Sequence, residues 1–257
     1  MELLVVCIAS LLASALTLFS GFGLGTLLMP VVALFFPLDL AIAMTAMVHL
    51  ANNLFKIGLL GRKADSSILL KFGLPAIAAA FVGAVVLTYL GALNPLYEYH
   101  AFGSNRQVSM LKFVIGVLII SFVALELSPT FSEAALDPKW LPLGGVISGF
   151  FGGLSGHQGA FRSMFLIKTG LKKEAFVATG VVLAVMVDLS RMVIYGADML
   201  AQGNAVEWPL VIGACASAFA GAYFGAKMLK KVTLRSVQLI VSALLIAVGG
   251  GLIAGIL

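Results

Sequence analysis

The amino-acid sequence predicts an all-α integral membrane protein, a single transmembrane domain over residues 1–257 built from two repeats of about five helical segments each. Three features carry that expectation: composition, the length of the apolar runs, and two glycine-rich interruptions at corresponding places. Of 257 residues, 61% are hydrophobic and 11% charged, where a soluble domain carries about 25% charged residues. That is more apolar surface than a water-soluble core needs, and no polar stretch is long enough to fold separately. The 28 glycines and 18 phenylalanines suit helices packed in lipid, where small residues let backbones approach and large apolar ones face outward.

Apolar runs cover roughly 3–20, 24–36, 39–60, 67–92, 108–127, 140–154, 158–168, 173–196, 207–229 and 234–256. About six reach the roughly 20 residues that cross a hydrocarbon layer. The other four form two pairs, 3–36 and 140–168, each too long for one span. Gly21, Gly23 and Gly25 interrupt the first, and Gly152, Gly153, Gly156 and Gly159 the second. Each glycine costs a helix about 1 kcal/mol relative to alanine, and Pro30 and Pro142 read as further breaks. Each pair is therefore expected to be two short helices meeting at a broken point. The segment Met1–Ser20 has the hydrophobicity of a signal peptide, but it lacks a basic start and stays apolar onward, so it is read as mature structure.

The two pairs open two similar halves, about 1–127 and 140–257. Ala41–Thr45 matches Ala175–Thr179, and Leu111-Lys112 before one apolar run matches Leu234-Arg235 before another. Repeats with interrupted segments are a sequence pointer to a transporter. Basic loops at Arg62–Lys71, Lys168–Lys173 and Lys227–Arg235 are expected on the cytoplasmic side. They fall together if each broken pair enters and leaves on one side, which inverts the second repeat. If each pair crosses once instead, the repeats are parallel and the first of those loops lies outside. The acidic connection with Glu133 and Asp137 gives the inverted form no support.

Charges inside apolar spans cost about 2.5–3.5 kcal/mol on insertion scales, so each invites a functional reading. His49, Asn52, Asn53 and Lys56 recur at helical spacing, placing them along one stripe. Asp188 and Arg191 lie in the equivalent segment, where Lys56 aligns next to Arg191. Arg162 follows the second break, and its planar fork suits two oxygens of a sulfonate or carboxylate. Ser155, His157 and Gln158 add donors there, and Gly23, Gly25 and Gly156 expose backbone N–H groups at helix starts. These residues form the candidate substrate site, with His157, Asp188 and His49 as candidate proton carriers. The plainer readings are that Asp188 and Arg191 neutralise each other, that Lys56 snorkels to headgroups, that His157 and Gln158 satisfy freed backbone groups, and that His49 is an interior hydrogen-bonding residue. Glu126, beside Ser128-Pro129, reads as interfacial, and Cys7 and Cys215 as buried packing residues.

The pattern Gly21-Phe22-Gly23-Leu24-Gly25, then Pro30, Pro37 and Ala41–Thr45, resembles the glycine-rich signature of the sulfite exporter TauE/SafE family. With the second break and the basic cluster after the third segment, the resemblance covers nearly the whole chain. It implies a permease of the bacterial inner membrane moving sulfite, sulfonates or sulfoacetate, driven by the proton gradient. In the second half, Ser155-Gly156-His157-Gln158-Gly159 replaces the family's glycine run and Met164 stands where Pro30 stands in the first, which marks a distinct branch. No cofactor or metal is expected: His49, His100 and His157 lack ligand spacing, and no HExxH or GxxxxGK[ST] pattern occurs. The expected partners are a small anion and the lipid bilayer, without nucleic acid; a homodimer is left open. An anion channel is the alternative, and an enzyme is disfavoured for want of a nucleophile.

Overall fold

The computed structural model describes residues 1–17, 23–60, 63–101, 103–132, 134–202, 206–228 and 234–257. Gly21, Phe22, Arg62, Glu133 and residues 229–233 of the third basic loop lie outside the described residues. The first broken pair is α1 (Glu2–Thr17) and α2 (Leu24–Val32), with Gly23 extended at the start of α2. Helix α3 (Leu38–Leu60) follows. Asp65 then caps α4 (Ser66–Ile68), its carboxylate accepting from the Ile68 N–H at 2.9 Å. A π-helical turn, Leu69–Gly73, joins α4 to α5 (Leu74–Gly91).

Between α5 and the next long helix stands a feature that apolar periodicity does not announce, an antiparallel hairpin of β1 (Tyr97–Ala101) and β2 (Ser104–Val108). It docks on the end of the chain: the Tyr99 hydroxyl donates to the Ala254 carbonyl, and Arg106 donates to that of Ile256 at 3.2 Å. Helix α6 (Met110–Leu127) starts under Ser109, whose hydroxyl accepts from the Lys112 N–H at 3.2 Å, and a short α7 (Pro129–Ser132) follows. The second broken pair is α8 (Leu141–Ser155) and α9 (Gly159–Leu166). Pro142 sits in the first turn of α8 and opens that helix instead of breaking it, because a first-turn residue has no helical partner for its N–H. The chain ends in α10 (Lys173–Gln202), α11 (Trp208–Met228) and α12 (Leu234–Ile253).

Among the described residues, four helices are long and apolar enough to cross a membrane: Leu38–Gly58, Ser66–Gly91, Met110–Leu127 and Lys173–Met199. Glu2–Leu16, Trp208–Phe224 and Val241–Ile253 are apolar but shorter. The side chains are sorted as lipid requires. Leu54, Leu74, Val82, Val193 and Ile212 are exposed, while Asp188, Arg191, His49 and Asn52 are buried.

Helix α8 packs on α5 and α1 on α11; α10 lies against α3 and α5, α11 against α3, and α6 against α12. Association in lipid depends on close van der Waals contact, and glycine supplies it. A Cβ on Gly149 would stand 2.2 Å from the Ala76 carbonyl oxygen, and one on Gly153 2.1 Å from that of Ala80. The α1 and α11 contact repeats the arrangement at Gly221, 2.2 Å from the Leu11 carbonyl.

Two contacts set which loops share a face. Lys63 pairs with Glu174, and the Asp65 N–H donates to Thr179 Oγ1 at 2.9 Å. The loop before α4 therefore lies beside the loop before α10. The ion pair is exposed and contributes about 1 kcal/mol or less, so its value here is positional. Helix α5 leads from this loop face to the hairpin, and α6 leads back from it.

Candidate functional site at the two helix breaks

Asp188 on α10, a fully buried carboxylate, organises the interior. Its Oδ1 accepts from Arg191 Nε at 3.0 Å and Nη2 at 2.7 Å, and its Oδ2 lies 2.6 Å from His49 Nδ1 on α3. Gln158, just before α9, donates to Oδ1 at 3.4 Å, and Asn53 donates to Oδ2 at 3.5 Å. Asp188 has no exposed surface and Arg191 only 2%. A charge so deep persists only when paired and hydrogen-bonded. The pairing of Asp188 with Arg191, one of the readings open from sequence, is what the structure contains.

The breaks flank this carboxylate. Gly156 ends α8 in the left-handed region, φ 83°, with its N–H donating to the Gly152 carbonyl at 3.0 Å. A Cβ there would meet Arg191 Nη1 at 2.9 Å, so glycine is required both by conformation and by the closeness of Arg191. Gly23 lies against α3 on the other side: a Cβ on it would stand 4.0 Å from His49 Nε2. Gly25 packs on Thr45. Gly23 and His157 also line one cavity together, so the two breaks meet.

That cavity holds about 300 Å³ of empty space, part of it open to the outside, between the first turns of α2 and α9. Gly23 and Thr26 border it from α2, Gly159 and Ala160 from α9, and Phe122 and Glu126 from α6. His157 Nδ1 lies 3.2 Å from the Ser155 carbonyl and 3.0 Å from its hydroxyl. A carbonyl only accepts, so the hydrogen sits on Nδ1 and Nε2 is left as an acceptor. His157 Nε2 and Glu126 Oε2 are both buried without a partner. Glu126, half-buried near the end of α6, lines this cavity. Position at a helix end in the sequence says nothing about which neighbour closes over it.

The two arginines differ in commitment. Arg191 gives Nε and Nη2 to Asp188. Arg162 is half-buried, has no carboxylate partner, and makes one long bond, 3.4 Å from Nη1 to Gln158 Oε1. Lys56, half-buried on α3, is close enough to Arg162 for their charges to repel. Among the described residues around the breaks, Arg162 and Lys56 form no ion pair, although Arg162 still feels the charge of Asp188. Asn52 turns away from the cluster: its Oδ1 accepts from Ser14 on α1 at 3.3 Å, and its Nδ2 has no partner. Sequence reasoning passed over Tyr195, whose hydroxyl donates to the Gly153 carbonyl beside the second break; its seven-residue spacing from Asp188 on one helix face was the available signal.

A second cavity, about 460 Å³, opens at the hairpin end between Asp39, Thr88, Tyr195 and Asp198. On α10, Asp188 lies between Thr179, at the loop face, and the Tyr195 and Asp198 that line this cavity. Among the described residues, no three His, Cys, Asp or Glu side chains gather as a metal site.

Comparison with known proteins agrees with this architecture. The family model described as sulfite exporter TauE/SafE matches residues 6–252. No curated protein and no solved structure matches the chain. With nearly its whole length covered, the chain belongs to the sulfite exporter TauE/SafE family, membrane transporters of sulfite-like anions.

Proposed function

We propose that this chain is a secondary transporter of a small sulfur-containing anion, sulfite, a sulfonate or sulfoacetate, in the cell inner membrane, coupled to the proton gradient. The observation that carries the reading is the convergence of two helix starts, α2 and α9, on one cavity, with Arg162, the residue after its lining residue Phe161, in no ion pair among the described residues. Helix starts favour anions by about 0.3–1 kcal/mol each, whereas a charge-assisted hydrogen bond contributes about 1.5–3 kcal/mol. Arg162 therefore outweighs the helix ends. The anion replaces Gln158 as the acceptor for Arg162, with Lys56 adding charge and Gly23, Gly25, Ser155 and Gly156 shaping the backbone around it. Arg191 and Asn52 hold the surrounding scaffold, and His49, His157 and Asp188 are the proton-carrying candidates.

We read the halves as inverted repeats. Element pairing supports this: α5 on α8 corresponds to α11 on α1, and α10 on α5 to α3 on α11. The contact of Gly83 with the Phe150 carbonyl likewise corresponds to that of Gly221 with Leu11. The contact of Lys63 with Glu174 sets two basic loops on one face, as the inverted arrangement requires. Among the described residues, a cavity toward each end of the bundle and the buried Asp188 cluster in the interior favour a carrier that alternates access over an open channel. The assembly is a monomer or a homodimer.

A thermal-shift screen of purified protein tests the substrate class. Sulfite, sulfoacetate, thiosulfate or taurine is expected to raise the melting temperature, by mass action on the folded state, more than phosphate or small carboxylates do. Equal shifts from all anions, or none, would remove the substrate assignment.

A further inference from the structure

Glu126 sets a condition on any anion that enters the cavity. Its Oε2 is buried and unpartnered, it lines the same space as the starts of α2 and α9, and among the described residues no cation pairs with it. An ionised carboxylate there repels the anion that the helix starts and Arg162 attract.

We propose that Glu126 is the proton-linked gate of the anion site, admitting the anion only when its carboxylate carries a proton, with His157 Nε2 as the acceptor for that proton's hydrogen bond. The inference rests on the transport reading and names the group through which the two cargoes are coupled. The balance is simple. One proton from bulk water converts the Glu126 carboxylate to the neutral acid, whose side chain, not hydrogen-bonded to His157 in this structure, then turns to donate its O–H to Nε2. A monoanion then enters without adding a second negative charge, and release on the other side returns both. Among the described residues lining the cavity, only Glu126 and His157 are titratable. Behind them stand Arg191, next to Gly156, and His49, next to Gly23. Helix α5 brings only Tyr89, at its far end, and α12 carries no ionisable residue from Gln238 to Leu257. His157 keeps its orientation through Ser155 and through the Phe122 ring, stacked at 4.9 Å and 23°. Nε2 stays without a partner on a residue that lines the cavity.

The coupling is reciprocal, since a proton that aids anion binding is itself bound more tightly when the anion is present. The test measures the dissociation constant of methanesulfonate, ionised throughout, against pH for the full chain in detergent, beside Glu126→Gln, which keeps the shape and the neutral charge of the protonated acid. In the parent, affinity is expected to fall by about tenfold per pH unit above the titration of Glu126; in Glu126→Gln it is expected to be high and flat with pH. A flat parent, or the same slope in the variant, overturns the proposal. Infrared difference spectra across the same pH range supply an independent arm, needing no ligand. A protonated-carboxyl band that disappears in Glu126→Gln and shifts in His157→Gln supports the gate. A band unchanged in Glu126→Gln, or no such band, overturns it. If methanesulfonate does not bind at all, the substrate assignment fails, and the infrared arm alone decides whether Glu126 holds a proton.

Discussion

Replacing Asp188 with Ala is expected to lower stability by about 3–5 kcal/mol, because removing one partner of a buried ion pair strands the other. Arg191 is 2% exposed and gives both Nε and Nη2 to Asp188. His49 would lose its 2.6 Å partner at the same time. The double variant Asp188→Ala, Arg191→Met should recover part of the loss, since a matched apolar pair leaves no charge without a partner. The check is the unfolding midpoint of each purified variant in detergent. A single variant within about 1 kcal/mol of the parent would mean that Asp188 does not organise the interior.

Arg162 is expected to behave in the opposite way, with a large effect on binding and a small one on folding. Truncating one side of a desolvated charge pair costs about 2–5 kcal/mol of affinity, so Arg162→Ala should weaken anion binding by more than about thirtyfold. Arg162→Lys keeps the charge but loses the planar fork; a loss of about 1.5–3 kcal/mol, roughly ten- to a hundredfold, is expected. Stability should change little in either, because Arg162 makes a single long bond to Gln158 and no ion pair. Calorimetric titration with the anion that the thermal-shift screen selects reads both numbers. Affinities within twofold of the parent in folded variants would take Arg162 out of the site and leave Lys56 as the uncommitted cation.

The contrast between these arginines was only half legible in the sequence. Apolar run length announced the long spans, and glycine spacing announced both broken pairs, because each depends on local backbone cost. The i,i+3 spacing of Asp188 and Arg191 likewise announced their pairing. Which cation stays uncommitted depends instead on Gln158, which a tertiary contact places between Arg162 and Asp188. The stripe of His49, Asn52, Asn53 and Lys56 was too coarse in the same way. Adjacent residues on a helix point about 100° apart, so Asn53 meets Asp188 while Asn52 meets Ser14. The hairpin at Tyr97–Val108 escaped notice because its two short strands carry few apolar side chains at alternating positions, and Glu126 was read as interfacial because nothing local marks which cavity a helix end lines.

Counterflow tests the transport claim most directly. Proteoliposomes loaded with unlabelled sulfite and diluted into a trace of labelled sulfite should take up the label transiently, overshoot and relax, and Arg162→Ala should abolish the overshoot while remaining folded. Uptake no faster than in protein-free liposomes, for sulfite and for every anion that shifts the melting temperature, would contradict the account.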